Sequence, residues 1–170
     1  CVRCRACSLL QFVEQDVPRT ADIDGEAAFP HHPEVTVSVA ATDWEVAEYR
    51  KIRQEVFVAE QGVFHGSDAD DHDRDAIVII ARVDGRVAGG VRCYHHHGGT
   101  WFGGRLVVRS GYRGSLNLGA LLVRQAVATM EERGDVRRFL ATVQIQNVRF
   151  FERLGWKRLG KVFVMHGMKH

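Results

Sequence analysis

The sequence predicts a single α/β domain with a mixed sheet, and three observations support this. Residues 35–40 alternate and are rich in β-branched side chains, as expected for a strand. Two further apolar runs flank Asp84-Gly85, a dipeptide typical of a tight β-hairpin. After residue 118, apolar residues recur at helical spacing until Arg133-Gly134, where a cation and a glycine end the pattern. Strands and helices therefore alternate along one chain.

The first half of the chain is predicted to contain one helix between the first strand and the hairpin. Thr42 or Asp43 is a suitable N-cap, and the helix should run to about Glu60, with Gly62 ending it. An acidic segment, residues 67–75, follows and is expected to be a solvated loop, since it does not match the twelve-residue calcium loop. Residues 76–83 and 86–94 are the strands of the hairpin.

The second half predicts a strand, a helix, a strand and a shorter helix. The first of these strands covers residues 101–108, and residues 137–144 form the next. Asn147 is a suitable N-cap for the last helix, which Gly155 ends. Residues 156–170 have room for two short strands or one bent strand, so the predicted order is βαβββαβαβ.

Composition limits the functional classes. The chain has 170 residues, 45% of them hydrophobic and 26% charged, with a net charge of +2. These values indicate one globular domain and give no support for nucleic-acid binding, and no apolar run is long enough for a membrane helix. Cys1, Cys4 and Cys7 are free thiols or, with His31 or His32, zinc ligands; we expect no metal and a cytoplasmic protein.

The segment 105–123 is predicted to form a strand, a loop of small residues and a helix. The first amides of such a helix, and its positive dipole end, point at whatever lies in the loop, so an anion such as a phosphate is the expected guest. The loop lacks G-x-x-x-x-G-K-[ST] and G-x-G-x-x-G, which argues against a P-loop and a dinucleotide fingerprint. An ordinary β–α turn is the alternative.

This loop resembles the acyl-CoA loop of the GNAT superfamily of N-acyltransferases. Val107-Val108 close the strand, Tyr112-Arg113-Gly114 follow, and Leu118-Gly119 open the helix, where the family has R/Q-x-x-G-x-G/A. Asn117 stands in place of a family glycine. The stretch from Asn147 to Trp156 is similar to the last helix of the family.

Three further stretches are similar to the branch of nitrogen-starvation N-acetyltransferases. They begin at Arg53-Gln-Glu-Val-Phe57, Gly90-Val-Arg92 and Met165-His166. The resemblance implies a GNAT-like domain over residues 35–170 and leaves residues 1–34 as an extension of unknown role. It also implies a mostly antiparallel central sheet flanked by helices, with strands four and five parallel and splayed.

By resemblance, the protein transfers an acetyl group from acetyl-CoA directly to the amine of a small molecule, an amino-acid-like one included, in a ternary complex. The residues expected at the acetyl-CoA site are Leu106, Val107, Val108, Arg113, Gly114, Ser115, Asn117, Leu118, Gly119, Ala120, Asn147 and Phe151. A catalytically silent acyl-CoA sensor and an acyl-homoserine-lactone-synthase-like enzyme are the alternatives. The oligomeric state, a homodimer included, is left open.

The candidate catalytic bases are Glu60 and His72, with His166 in reserve. Glu60 either lies at the acceptor cleft, where partial burial would raise its pKa, or is a solvated carboxylate at the end of the helix. Phe151 occupies the position of the family's proton-donating tyrosine and cannot donate. Arg92 and Arg105 either hold an acidic substrate or form plain surface ion pairs, and we favour the second reading.

Overall fold

A computed structural model describes residues 32–162, 164, 165, 168 and 169. The predicted extension, residues 1–34, lies outside this part of the chain except for its last three residues, so its cysteines are not described. His166, the reserve base, also falls outside. Across the described residues, every helix is too short or too polar to cross a bilayer, and the acidic and histidine-rich segments contain no cluster suited to a metal ion.

The predicted order of elements is confirmed. The elements are β1 (Val35–Val39), α1 (Asp43–Arg53), β2 (Ile77–Val83), β3 (Arg86–His97), β4 (Thr100–Val108), α2 (Leu118–Glu131), β5 (Arg138–Ala141), α3 (Val148–Arg153), β6 (Val164–Met165) and β7 (Met168–Lys169). The first five strands form one sheet in sequential order, antiparallel except for the parallel pair β4–β5. The strands β6 and β7 form a separate antiparallel hairpin.

Local sequence explains where these elements start and turn. Thr42 caps α1 in a full capping box, in which its side chain accepts from the amide of Glu45 and the Glu45 carboxylate accepts from the amide of Thr42. Asp84 and Gly85 both have positive φ, 49° and 75°, as the tight turn between β2 and β3 requires. The helix α1 continues into a π-helical segment, Gln54–Glu60, in which the amide of Gln61 donates to the carbonyl of Val56.

The sheet is buried on both faces. Side chains of β2 alternate, so that Val78 and Ile80 pack against α1 while Ile79 and Ala81 pack towards α2. The α1 side is completed by Tyr49, Ile52, Val56, Val87 and Val107. The α2 side is completed by Val91, Trp101, Leu118, Leu122, Ala126 and Met130, among others. Because both faces are covered, a ligand can reach the sheet only at the edges and ends of its strands.

Candidate active site

A cleft opens where β4 and β5 part. The two strands pair only from Thr100–Arg138 to Gly103–Ala141. From Gly104 onwards, β4 has no β5 partner in the described chain, and a cavity of about 310 Å³ lies there. An open strand edge exposes unpaired N–H and C=O groups, which an amide-containing ligand can pair with as an added strand.

A β-bulge in β4 lies at the same place. The pairing with β3 moves from Arg92–Gly104 to Gly90–Val107, so Arg105 and Leu106 together oppose one residue. Arg105 has a φ of 54°, in the left-handed region that side chains other than glycine rarely adopt. Backbone held in such a conformation is common at functional sites.

Tyr49 of α1 holds this bulge from the other face of the sheet. Its hydroxyl donates to the carbonyl oxygen of Arg105 at 2.8 Å, and its side chain is fully buried. Burial raises the pKa of Tyr49, so the phenol is a neutral donor. The ring fits because Gly90 has no side chain, as a Cβ there would lie 2.6 Å from Cδ2 of Tyr49. The strained residue is thus fixed by a packed contact.

Three arginines and three aspartates form a network behind one end of the cleft. We call it the arginine–aspartate cluster; its members are Arg53, Arg92, Arg105, Asp68, Asp70 and Asp73. Arg53 and Asp68 are joined at 2.7 Å between Nε and Oδ2 and are 1% and 3% exposed. Opposite charges at this depth are held by mutual pairing and hydrogen bonds, since neither could be buried alone.

The remaining aspartates connect the strands to this pair. Arg53 Nη1 lies 2.5 Å from Asp73 Oδ1, and Arg92 Nη1 lies 2.6 Å from Asp70 Oδ1. Arg105 Nη2 reaches Asp70 Oδ2 at 3.2 Å. Burial alone would raise the pKa of Asp73, but hydrogen bonds from Arg53 and Arg92 outweigh it and lower that pKa. Asp70 behaves in the same way, with Arg92 as its main partner.

Two sequence-based expectations are therefore wrong. The acidic loop is not simply solvated, because Asp68 is buried and Asp73 is half-buried against arginines. Arg92 and Arg105 do not form plain surface pairs, because both belong to the buried cluster and also line the cleft. The sequence alone could not predict this cluster, because the three arginines lie on separate elements that only the fold brings together.

Glu60 lies outside the lining of the cleft. Its carboxylate receives two hydrogen bonds from Arg113, from Nη1 at 2.5 Å and Nη2 at 2.8 Å. Arg113 Nε also donates to the carbonyl of Val108 at 2.8 Å. The hydrogen bonds from Arg113 lower the pKa of Glu60, so the expected rise is wrong because the carboxylate is exposed and paired rather than desolvated. Its neighbour Gln61 lines the cleft instead.

His72, the second candidate base, also stands behind the lining. It lies in a short 3₁₀ turn, Asp71–Asp73, and its ring stacks on Tyr94 with centroids 4.0 Å apart. Tyr94 itself lines the cleft, and burial raises the pKa of its phenol. His72 therefore contacts Tyr94, a residue of the lining, but does not line the cleft itself.

The loop before α2 presents an open row of backbone donors. The amides of residues 115–119 have no hydrogen-bond partner within the described residues. Gly114 has a φ of 90° and Asn117 a φ of 50°, which turn the chain into the helix. Ala120 is among the residues expected at the cosubstrate site, but its amide donates to the carbonyl of Asn117 at 2.9 Å and is therefore not free for a phosphate.

The side chains of the loop point in different directions. Leu118 is 2% exposed and packs in the core, while Gly114 and Ser115 are exposed. Asn117 and Ala120 line a second cavity of about 310 Å³, which Arg124 and Arg153 also line. This second cavity lies beside the start of α2 and carries positive charge.

The other predicted cosubstrate residues divide between the cleft and the core. Leu106, Asn147 and Phe151 line the cleft. Val107 is buried on the α1 side of the sheet, and Val108 is half-buried against the other core. Sequence reasoning missed the role of Tyr49, for which no local motif exists. It also missed Gln61 and Phe64 in the lining, although both follow the Arg53–Phe57 stretch that the resemblance singled out.

These features fit acetyl-CoA. Five free amides suit a diphosphate, the open edge of β4 suits the amides of a pantetheine arm, and the bulge supplies unpaired backbone beside the cleft. Together they define an acyltransferase that takes its acyl group from coenzyme A.

The chain belongs to the acetyltransferase (GNAT) family, whose family model matches residues 39–156. It is an acetyltransferase, and acetyl-CoA is its cosubstrate.

Solved structures agree on the fold. Escherichia coli ElaA is 18% identical with a TM-score of 0.69, covering 81% of this chain and 96% of its own. An acyl-CoA N-acyltransferase from Pseudomonas aeruginosa is 23% identical with a TM-score of 0.69, covering 82% of this chain and 96% of its own. A GNAT family acetyltransferase from Brucella melitensis, in complex with acetyl-CoA, is 18% identical with a TM-score of 0.54, covering 70% and 82%.

Proposed function

We propose that this protein acetylates the amine of a small, amino-acid-like molecule by direct transfer in a ternary complex. The observation that carries the proposal is the coincidence of the β4–β5 cleft, the bulge at Arg105–Leu106 and the free amides of residues 115–119. They lie along one continuous stretch of chain, so one bound acetyl-CoA can contact all three.

Backbone groups bind the cosubstrate in this proposal. The diphosphate accepts hydrogen bonds from the amides of residues 115–119, and the second cavity, with Arg124 and Arg153, takes the nucleotide end. The pantetheine arm pairs with β4 beyond Gly103, between the strands. An unpaired amide of the bulge donates to the thioester oxygen, where negative charge grows during transfer.

The chemical step joins the acceptor nitrogen to the acetyl carbon. The lone pair of the neutral amine attacks the thioester carbonyl, the C–N bond forms, and the C–S bond breaks to release the thiolate of CoA. The nitrogen loses one proton to water, and the thiolate takes one from water. Within the described residues no carboxylate or imidazole lines the cleft, and Phe151 has no proton to give. Glu60 and His72 do not contact the acceptor in this proposal, since both stand outside the lining, next to Gln61 and Tyr94.

Acetyl-CoA binding and amine-dependent release of the CoA thiol test the proposal together. Acetyl-CoA should raise the melting temperature, and an amine panel should release thiol only in the presence of an acceptor. Thermal stabilisation without thiol release for any amine would favour a catalytically silent acyl-CoA sensor. Absence of both would contradict the placement of the cosubstrate.

Gly119→Ala locates the diphosphate. A Cβ at Gly119 would meet only Cζ of Phe150, at 3.6 Å, so the protein itself tolerates the methyl group. Alanine in a helix should raise stability by about 0.4–1 kcal/mol, while the methyl group obstructs a phosphate on the amides, so acetyl-CoA affinity should fall about tenfold. Gly111→Ala, in the same loop and equally unobstructed, is the matched control. Unchanged affinity in Gly119→Ala would place the diphosphate elsewhere.

A further inference from the structure

The walls of the cleft also indicate which acceptor enters it. We infer that the acceptor is an amine that carries a carboxylate on a flat apolar body, an aromatic amino acid or a close analogue. This inference rests on the proposed acetyl transfer and concerns the acceptor end of the same cleft. Arg105 is assigned to the carboxylate, and the rings of Phe57, Phe64, Tyr94 and Phe102 to the body.

The charge of the lining is the first argument. Among the described residues, Arg92 and Arg105 are the only charged side chains that line the cleft. The aspartates of the arginine–aspartate cluster stand behind these arginines. A polycationic amine would meet two guanidinium groups and no carboxylate, whereas an anionic group would meet an opposite charge.

The second argument is that Arg105 has unused hydrogen-bonding capacity. Its Nε and Nη2 donate to the carbonyl of Asp68, at 3.2 and 3.0 Å, and Nη2 also reaches Asp70. Its Nη1 has no partner in the part of the chain that the structure describes, and the side chain is 18% exposed. Arg92, by contrast, uses both of its Nη atoms on Asp70 and Asp73. Arg105 can therefore donate a further hydrogen bond from Nη1, whereas Arg92 contributes only its positive charge to the cleft.

The electrostatics of Arg105 agree with this assignment. Burial and the neighbouring Arg92 lower the pKa of Arg105 below the usual arginine value. An additional carboxylate at Nη1 would offset both effects, because it pairs with the guanidinium and balances the charge of Arg92. The bulge fixes the position of this side chain, since Arg105 is the residue with positive φ that Tyr49 holds.

The third argument is the aromatic content of the acceptor end. Cζ of Arg105 lies 4.5 Å from the centroid of Phe64, whose ring meets Phe57 edge-on at 6.3 Å. Tyr94 and Phe102 stack at 5.8 Å on the adjoining strands. Aromatic walls next to a guanidinium suit a flat apolar body with an anionic end.

Matched acceptors test the inference in the full chain loaded with acetyl-CoA. L-Phenylalanine should exceed both 2-phenylethylamine, which lacks the carboxylate, and L-alanine, which lacks the ring, by about tenfold or more in kcat/KM. Glucosamine 6-phosphate tests an anionic amine without an aromatic ring, and spermidine tests a polycation. Equal or better use of 2-phenylethylamine, glucosamine 6-phosphate or spermidine would overturn the inference.

A binding measurement keeps this test independent of turnover. The same compounds, added to the CoA-loaded protein, should raise the melting temperature in the same order, with L-phenylalanine first. This order is expected even if no amine releases thiol, in which case the proposed acetyl transfer fails while the binding inference stands. If thiol is released but the order is reversed, the inference fails while acetyl transfer stands.

Two variants locate the recognition. Arg105→Met should abolish the preference for L-phenylalanine over 2-phenylethylamine, and Phe64→Leu should reduce the preference over L-alanine, with acetyl-CoA binding kept in both. Arg158→Met is the matched arginine control, because Arg158 is 68% exposed and paired with Glu152 outside the cleft. Since Arg105→Met also removes cluster contacts, an unfolded variant leaves the decision to Phe64→Leu, whose unchanged preference would contradict the inference.

Discussion

The two ends of the proposed site are built in opposite ways. The acceptor end of the cleft consists of side chains from α1, β3, β4 and the acidic loop, held together by the arginine–aspartate cluster. The cosubstrate end is the loop of residues 115–119 beside the second cavity, which offers backbone amides while Leu116 and Leu118 pack inward on the core. Recognition of an invariant cosubstrate can rest on backbone, whereas selection among amines needs side chains held at fixed positions.

The largest expected effect breaks the acceptor end. Asp68→Asn removes a buried charge that pairs with Arg53, and it should lower the free energy of unfolding by about 3 kcal/mol, because the buried guanidinium then keeps only the carboxylate of Asp73. Urea denaturation measures this. Asp135→Asn, at an exposed pair with Arg133, is the control and should leave the urea midpoint nearly unchanged. Similar midpoints in both variants would mean that the cluster does not hold the acceptor end.

The acceptor end should lose stability at acidic pH, while stability near neutral pH should not depend on pH. Arginine pairing lowers the folded-state pKa values of Asp70 and Asp73 below the ordinary value of 3.8. Groups with depressed pKa values stabilise the fold above their unfolded pKa and lose that contribution as pH falls through the folded value. Stability should therefore be flat near neutral pH and fall below about pH 4. A fall that begins above pH 6 would implicate other groups.

A smaller effect is expected where the two ends meet. Tyr49→Phe removes the donor to the carbonyl of Arg105, and stability should fall by about 1–3 kcal/mol because that acceptor loses its partner. The looser bulge should also lower kcat. Tyr112→Phe is the control, since Tyr112 packs against the α2-side core and its hydroxyl makes no hydrogen bond within the described part of the chain. A drop in stability with kcat unchanged would separate the bulge from catalysis.

The smallest effect concerns Glu60 at the cosubstrate end. Glu60→Gln should raise KM for acetyl-CoA a few-fold with kcat nearly unchanged, because it frees Arg113 from the pair that holds the loop. High salt should reduce the difference from the unchanged protein, as for any exposed ion pair. Glu55→Gln, which breaks the neighbouring pair with Arg109, is the control. A large fall in kcat with KM unchanged would instead support Glu60 as the base.

Sequence reasoning succeeded where the signal is local. The alternation of residues 35–39, the Asp84-Gly85 turn and the capping residue Thr42 each act over a few residues, and the fold contains all three. The resemblance then correctly gave the family and the parallel pairing of β4 with β5. The branch of nitrogen-starvation N-acetyltransferases and the oligomeric state stay predictions.

Sequence reasoning failed where distant residues meet. Arg53, Asp68 and Arg92 are separated by 15 to 39 positions, and no periodicity shows that they share one buried site. The pKa of Glu60 depends on Arg113, 53 positions away. A charged residue in a sequence has no partner assigned to it, so its burial and pKa follow only from the folded structure.

The hydroxyl of Tyr49 ties the first helix to the fourth strand, and Gly90 lets the ring sit flush against the sheet. We therefore expect the first helix and the fourth strand to behave as one rigid unit. The fifth strand is attached through four residue pairs only, with Phe139 and Trp156 packed outside them at 5.3 Å. Where the proposed site has to widen for cosubstrate or product, we therefore expect the fifth strand and third helix to move and the acceptor wall to stay in place.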